Sequence, residues 1–210
     1  DALKGKRFGV LRKAMGWDPH VDAAMEAAIA KIKAAGGEVV DVEVKDYDKW
    51  NDAEFQVLMY EFKVGLNTYL KNAGATQGSL AALIAWNKAH AADAMPIFDQ
   101  EIFEKAQALG PLTDAAYLKA KAEIRRQAGT DGLVATLDKN KLDAVLTPSM
   151  SPAWITDHVL GDHFVGAGYG VAAVAGYPSL TVPMGDSHGL PMGVAFIGPA
   201  WSEAKLLSVG

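Results

Sequence analysis

The sequence contains no cysteine, which excludes disulfide bonds, thiolate nucleophiles and cysteine-ligated zinc. It also contains no apolar run long enough to cross a membrane, because the run that begins at Val171 soon meets Gly176 and Pro178. Nothing near Asp1 resembles a signal peptide, although a processed start would look the same. These absences leave the compartment open, with cytoplasm and periplasm both compatible.

Clustered basic charge is missing as well. The 210 residues carry a formal net charge of -5, and the basic residues stand in short, scattered groups such as Arg125 and Arg126. Neutralising phosphates requires clustered lysines and arginines, so we expect neither nucleic-acid nor membrane binding. Half of the residues are hydrophobic and 21% are charged, a balance typical of a soluble globular protein.

The amino-terminal part of the sequence predicts a β-α-β unit. Residues 8–11 form a short apolar strand, and Asp18 followed by Pro19 is typical of an N-cap with proline in the first helical position. Apolar residues then recur at helical spacing until Gly36, and residues 39–44 alternate as a strand does. The unit indicates an α/β layer and favours no particular function.

The middle of the sequence predicts helix almost throughout. Thr113 is expected to cap one of the helices, which we place at 52–72, 79–94, 99–108, 113–128 and 131–139. Glycine or proline separates each helix from the next, and Gly129 is the last of these breaks.

The remainder of the sequence returns to strands. A strand is expected at 142–148, a closely packed Gly/Ala-rich helix at 166–175, and two neighbouring strands joined by a loop at 186–191. Strands at both ends of the chain must meet in one sheet to bury their apolar faces. We therefore predict a single α/β domain over residues 1–210, with a mixed β-sheet flanked by helices and a helical middle segment.

Two serines follow the strand predicted at 142–148. Ser149 and Ser151 stand where α/β proteins often place functional groups, and His158 or His163 lies near enough in sequence to act as a base. However, the sequence has no Gly-x-Ser-x-Gly elbow, and Pro148 explains the segment equally well as a rigid turn. The structural explanation is the better one.

Two Asp-His dipeptides, at 157–158 and 162–163, raise the alternative of a metal site. Imidazole and carboxylate groups both bind divalent ions. The spacing differs from the i, i+4 arrangement of zinc proteases, and a polar surface loop that bends at Gly161 accounts for it. We therefore predict no bound metal.

Several motifs, taken in order, resemble the amidase signature hydrolases. Gly-Tyr-Pro-Ser-Leu-Thr-Val-Pro at 176–183 and Gly-Leu-Pro-Met-Gly at 189–193 resemble the carboxy-terminal part of that family. Asp-Ala-Val-Leu-Thr-Pro at 143–148 resembles an earlier strand, and Ile-Gly-Pro-Ala-Trp-Ser-Glu at 197–203 resembles the closing segment. Tyr-Glu-Phe-Lys at 60–63 is most similar to bacterial peptide or general amidases.

The resemblance implies a mechanism whose residues lie elsewhere. Members of that family use a serine nucleophile in a Gly/Ser-rich loop, activated by a lysine through a second serine with a cis peptide bond. This sequence has no such loop, and the resemblance places all three residues before Asp1. Ala195 stands where many relatives have glutamine, so the substrate class is not specified. The chain would then be the non-catalytic carboxy-terminal portion of an amidase, without a cofactor.

The same resemblance implies that this portion supplies walls of the substrate pocket. Loops at strand ends and bulky aromatic side chains are the best candidates. The predicted substrate-binding residues are Tyr60, Phe62, Ser151 and Trp154. The expected partners are a small-molecule or peptide amide and the missing amino-terminal half of the same protein. A sheet cut from that half would leave an open edge, so we expect the fragment to self-associate.

Two other functions remain open from the sequence alone. The A subunit of a tRNA-dependent amidotransferase is the nearest relative in chemistry, and a basic surface facing tRNA would favour it. A free-standing metal- or solute-binding module is the alternative that is not an enzyme.

Overall fold

The computed structural model describes residues 2–210, which form two compact units. One unit comprises the residues up to Trp50 together with Ile124–Gly210, and the other comprises Asn51–Glu123. The first unit contains all the strands described below, and the second is helical. The single domain over residues 1–210 stays a prediction.

Within residues 2–210, five strands form one mixed sheet in the order β2-β1-β3-β5-β4. Strand β1 (Arg7–Leu11) pairs in parallel with β2 (Glu38–Val42) and with β3 (Ala144–Pro148), which is the central strand. Strand β5 (Leu190–Ile197) is antiparallel to β3 and to β4 (Ser179–Ser187). The α/β class and the mixed sheet with helices are thus confirmed, and strands from both ends of the sequence meet in one sheet.

Helix α1 (Pro19–Ala34) covers one face of the sheet and begins where the sequence predicts. The Asp18 carboxylate accepts hydrogen bonds from the backbone N–H groups of His20 and Val21, and Gly36 follows the helix with a φ of 86°. Apolar side chains of α1 pack into the main core with residues of the sheet and of α9 (Glu203–Val209). That core contains Phe8, Leu146, Phe196 and Leu206, among others.

The chain before β3 departs from the predicted pattern. Residues 125–134 form a π-helix (Arg125–Val134), followed by α7 (Ala135–Asn140), so the predicted break at Gly129 is wrong. A Cβ atom on Gly132 would lie 2.4 Å from the backbone oxygen of Gln127. Glycine is therefore needed at position 132, because the wider turn of the π-helix brings the backbone oxygen of Gln127 close to it.

The helical unit contains α2 (Asn51–Asn72), α3 (Leu80–Ala89), α4 (Ala91–Ala94), α5 (Glu101–Ala108) and α6 (Ala115–Ile124). Helix α2 packs against α3 and α5. The helix predicted at 79–94 is divided at His90, and Thr113 is not an N-cap. Asp114 takes that position, because its backbone oxygen accepts the hydrogen bond from Leu118 N.

The Gly/Ala-rich segment is helical only in its second part. Helix α8 comprises Gly170–Ala175, whereas Ala167 forms an isolated antiparallel β-bridge with Met150, just after β3. The two final strands are also longer than predicted, because only His188 and Gly189, both with positive φ, form the turn between them. None of the helices described in residues 2–210 is long and apolar enough to cross a membrane.

Candidate functional site

The candidate site is the segment that leaves the sheet after β3 and returns to it. Ser151 N donates to the backbone oxygen of Gly166 at 2.8 Å, and Gly168 N donates to that of Pro148 at 3.0 Å. These hydrogen bonds tie the two ends of the segment together like the stem of a hairpin. Residues 152–165 therefore project from the carboxyl end of β3, the edge where α/β sheets commonly carry ligand-binding groups.

Two aromatic side chains support the returning segment at residues 166–168. Trp17 lies so close to Gly166 that a Cβ atom on this glycine would be 2.6 Å from the indole nitrogen. Tyr47 Oη donates to the backbone oxygen of Ala167 at 3.4 Å, and burial raises the pKa of Tyr47. The stem of the loop is thus fixed against the amino-terminal β-α-β unit.

Ser149 and Ser151 differ in their surroundings. Ser149 Oγ donates to Thr181 Oγ1 at 3.1 Å, which links the end of β3 to β4. Ser151 is 9% exposed, and its buried Oγ has no hydrogen-bond partner among the residues that the structure describes. Neither hydroxyl has the neighbouring base that a serine nucleophile requires. Their surroundings therefore give the nucleophile hypothesis no support.

Trp154 lies in the outer part of the loop and is half-buried. Its indole Nε1 donates to Asp162 Oδ1 at 3.3 Å, and its ring meets Phe164 edge to face with centroids 6.4 Å apart. Trp154 lines an open depression of about 500 Å³ with Ile155, Thr156, Asp157, His158 and His163. An aromatic face beside polar groups can contact a ligand side chain, which makes Trp154 the strongest of the predicted site residues.

The aspartate of the first Asp-His dipeptide, Asp157, lies beside the histidine of the second, His163. Asp157 Oδ2 lies 3.3 Å from His163 Nε2, while Asp157 Oδ1 accepts from the backbone of Leu160 and Val159. The hydrogen bonds from Leu160 and Val159, together with His163, lower the pKa of Asp157. In residues 2–210 there is no group of three or more His, Cys, Asp or Glu side chains that could hold a metal ion.

Tyr60 and Phe62 belong to the helical unit, whereas Ser151 and Trp154 belong to the unit that contains the sheet. Tyr60 is 5% exposed, and its Oη donates to Asp114 Oδ2 at 3.2 Å. Burial and this carboxylate raise the pKa of Tyr60. Phe62 is half-buried and packs on Phe103 of α5, with centroids 5.4 Å apart. The role of the four residues in substrate binding stays a prediction.

A polar cluster beside Tyr60 was not predicted. Tyr117 Oη donates to Glu61 Oε1 at 2.6 Å, and Lys121 Nζ donates to the same carboxylate at 2.8 Å and to Tyr117 Oη at 2.6 Å. The hydrogen bonds to Glu61 and Tyr117 raise the pKa of Lys121. The sequence shows that Tyr117 and Lys121 are four residues apart on one predicted helix. It does not show that Glu61, on a different helix, lies beside them.

Thr147 and Gly168 were also missed. Thr147 is fully buried, and its Oγ1 has no hydrogen-bond partner among the described residues. A Cβ atom on Gly168 would lie 2.4 Å from Thr147 Cβ and 2.4 Å from Pro148 O. The glycine is therefore required by the close approach of the returning segment to β3, and not by the helix packing that the sequence suggested.

Comparison with known proteins gives consistent matches over nearly the whole chain. The sequence model of the family described as Amidase matches residues 1–207. A probable amidase of Arabidopsis thaliana is 30% identical over 99% of this chain, which spans 37% of the length of that protein. The A subunit of the glutamyl-tRNA(Gln) amidotransferase from Acinetobacter baylyi is 25% identical to this chain. The alignment covers 99% of this chain and 44% of that subunit.

Solved structures give the same result. The peptide amidase PAM in complex with the competitive inhibitor chymostatin is 43% identical, with a TM-score of 0.93. The structural match covers 99% of this chain and 42% of that amidase. Native peptide amidase from Stenotrophomonas maltophilia is 42% identical, with a TM-score of 0.87 and the same coverage.

Proposed function

The chain belongs to the amidase family, and from this we propose that it is the carboxy-terminal portion of an amidase. The complete enzyme would hydrolyse carboxylic or peptide amides to the acid and ammonia. The observation that carries this proposal is the match to peptide amidase structures, which extends over almost the whole of this chain and less than half of theirs.

We place the catalytic residues outside residues 1–210. An amide is a poor electrophile, so a serine that attacks it needs a base within hydrogen-bond reach and donors for the oxyanion. Ser149 is hydrogen-bonded to a threonine, and the Ser151 hydroxyl is buried without a described partner, so neither is activated. The Ser–cis-Ser–Lys residues would come from the part of the polypeptide that the relatives have beyond this match.

The chain itself would contribute walls of the substrate pocket. The loop carrying Ser151 and Trp154 is fixed at its stem, and Trp154 presents an aromatic ring to an open depression. In the helical unit, the half-buried Phe62 beside Phe103 would contact a substrate, and the buried Tyr60, held by Asp114, would fix the position of α2. Fixed aromatic groups restrict which side chains of an amide substrate can fit, and specificity is the effect that we assign to them.

The second candidate is the A subunit of a tRNA-dependent amidotransferase. Several relatives carry that name, among them proteins from Acinetobacter baylyi and Deinococcus radiodurans at 25% and 28% identity. The higher identity to peptide amidase favours the first candidate. The net charge of -5 also gives no electrostatic attraction to tRNA. Copurification with other subunits, or tRNA binding that weakens with salt, would favour the second candidate.

The gene tests the proposal directly. We expect the open reading frame upstream of the codon for Asp1 to encode a Gly/Ser-rich loop with a serine, together with a second serine and a lysine. The product of that whole reading frame should release ammonia from a peptide amide without glutamine-dependent partners. A reading frame without such a segment would contradict the proposal.

A further inference from the structure

The outer part of the loop at 152–165 is held together by contacts within the loop. Trp154 Nε1 donates to Asp162 Oδ1, and Asp157 Oδ2 lies 3.3 Å from His163 Nε2. Each of these contacts joins two residues of the same loop. The relative positions of its aromatic and polar groups are therefore set within residues 152–165 themselves.

This loop carries two carboxylates and neither lysine nor arginine. Between Ser149 and Gly168 the sequence contains Asp157 and Asp162 as its acidic residues and no Lys or Arg. Asp157 lines the depression described above, and Asp162 is hydrogen-bonded to Trp154, which also lines it. None of the described residues that line the depression is lysine or arginine. The loop therefore places negative charge around a ligand in the depression, which attracts a cation.

Asp157 is the carboxylate that a ligand in the depression can reach. Its side chain is 29% exposed. Its Oδ1 accepts from the backbone of Val159 and Leu160, whereas Oδ2 lies beside His163. A carboxylate oxygen has two lone pairs, so Oδ2 can accept a further hydrogen bond from a ligand. The backbone hydrogen bonds lower the pKa of Asp157, which keeps the group ionised at neutral pH.

Two neighbours of Asp157 also suit a cationic ligand. An indole ring attracts a lysine or arginine cation that lies within about 6 Å of its centroid, and Trp154 supplies such a ring. A neutral imidazole that donates from Nε2 to Asp157 leaves Nδ1 as an acceptor, and His163 supplies this group. A carboxylate, an aromatic ring and an imidazole nitrogen are the groups that recognise a guanidinium or an ammonium.

We propose that this depression is the subsite for a basic side chain of the substrate, with Asp157 as the specificity-determining residue. The inference rests on the proposed function, because the ligand would be the side chain of a peptide amide. An arginine or lysine side chain would place its charge beside Asp157 and its methylene groups along Trp154. An acidic side chain would be repelled, so the subsite favours basic substrates over acidic ones.

Peptide amides that end in arginine or in citrulline test this preference in the product of the whole open reading frame. Citrulline has nearly the shape of arginine and carries no charge. Asp157→Asn removes the charge and keeps an oxygen that can accept from the backbone of Val159 and Leu160. We expect the wild type to have the higher kcat/KM for the arginine amide, and Asp157→Asn to lower the ratio of the two values about threefold or more.

Asp138→Asn is the matched control, since it removes the same charge from an exposed position of α7. Helix α7 ends before β3 begins, so Asp138 lies near the opposite end of that strand from the loop. This variant should keep the wild-type ratio, and added salt should lower the wild-type ratio by screening the charge. A wild-type ratio of one, or a ratio that Asp157→Asn leaves unchanged, would overturn the proposal.

Ligand binding to the 210-residue chain separates this inference from the proposed function, because binding requires no hydrolysis. The probes are the amides of N-acetylarginine and N-acetylcitrulline, titrated while NMR records the indole N–H of Trp154, assigned from its loss in Trp154→Phe. We expect the arginine probe to bind more tightly than the citrulline probe, and Asp157→Asn to remove the difference. Equal binding of the two probes by the wild-type chain would contradict the subsite. A whole product that releases no ammonia would count against the proposed function, while a difference in binding would still support the subsite.

Discussion

Asp143, immediately before β3, connects three parts of the sheet unit. Its Oδ2 accepts from the backbone N–H of Arg7 at 2.9 Å, and its Oδ1 accepts from Lys205 of α9 at 3.0 Å and lies 3.7 Å from Lys6. Burial raises the pKa of Asp143, but the hydrogen bonds from Arg7 and Lys205 and the charge on Lys6 outweigh it and hold the pKa below its usual value. The ionised carboxylate therefore stabilises the fold.

We predict that Asp143→Asn lowers the free energy of unfolding by about 1 kcal/mol at neutral pH, a value reduced for partial exposure. Because the pKa is lowered on folding, the stabilisation is fully present above the unfolded-state pKa of about 3.9 and is lost as the pH falls through the folded-state value. The difference between wild type and variant should therefore vanish in acid. Urea denaturation between neutral pH and pH ~3 measures it.

Asp93→Asn provides the control for this series, since Asp93 is an exposed aspartate on α4. Its free energy of unfolding at neutral pH should equal that of the wild type. An Asp143→Asn variant as stable as Asp93→Asn at neutral pH would show that the carboxylate contributes nothing.

Trp154 is the residue at which substrate preference should change. In the complete enzyme we expect Trp154→Ala to alter the ratio of kcat/KM values among peptide amides that differ in the side chain next to the amide. Trp154→Phe, which keeps an aromatic ring and loses the hydrogen bond to Asp162, should shift that ratio less. Equal loss of activity on all substrates, together with a large loss of stability, would mark Trp154 as structural.

At the scale of elements, the close approach of residues 166–168 to β3 depends on Gly168. Gly168→Ala places a Cβ atom 2.4 Å from Thr147 Cβ and from Pro148 O, in a region where both partners are buried. We predict a loss of about 1–3 kcal/mol in the free energy of unfolding, because the backbone must move. Chemical denaturation of the variant measures it.

Gly170→Ala is the matched control, because nothing lies within 4 Å of a Cβ atom at Gly170. That variant should be as stable as the wild type or slightly more so, since alanine favours helix. If the two variants were equally stable, the contact between Gly168 and Thr147 would not constrain the loop stem.

The elements that the sequence predicts correctly are those whose ends are set by residues adjacent in the sequence. Asp18 and Pro19 set the start of α1 without help from distant residues, and the turn at His188 and Gly189 lies within the predicted loop. The π-helix at Arg125–Val134 was not predicted, because Gly129 normally ends a helix and the packing of this segment against α8 is not visible in the sequence. The role of Gly168 likewise depends on a distant strand.

The candidate site was predictable only in part. Trp154 was found because a bulky aromatic residue in a loop after a strand is unusual, and the structure places it in an open depression. The sequence does not show that Tyr60 is buried against Asp114, or that Glu61 joins Tyr117 and Lys121, since these contacts connect separate helices. The spacing of residues in the sequence indicates which side chains are neighbours on one helix or strand. Contacts between different helices or strands are known only once the fold is known.

At the scale of the whole molecule, the decisive feature is that the match covers nearly all of this chain and less than half of the peptide amidase. The match to peptide amidase extends over 99% of this chain and spans 42% of that enzyme. Ser149 and Ser151 have no neighbouring base among the described residues, and we propose that this portion serves substrate recognition in the complete enzyme. The central claim is therefore that hydrolysis requires residues outside this chain.

Ammonia release from a peptide amide tests this claim most directly, measured for the 210-residue chain and for the product of the whole open reading frame that encodes it. We predict release by the whole product and none by the chain alone. Turnover by the chain alone that disappears in Ser149→Ala or Ser151→Ala would contradict the claim, and so would a whole product that releases no ammonia.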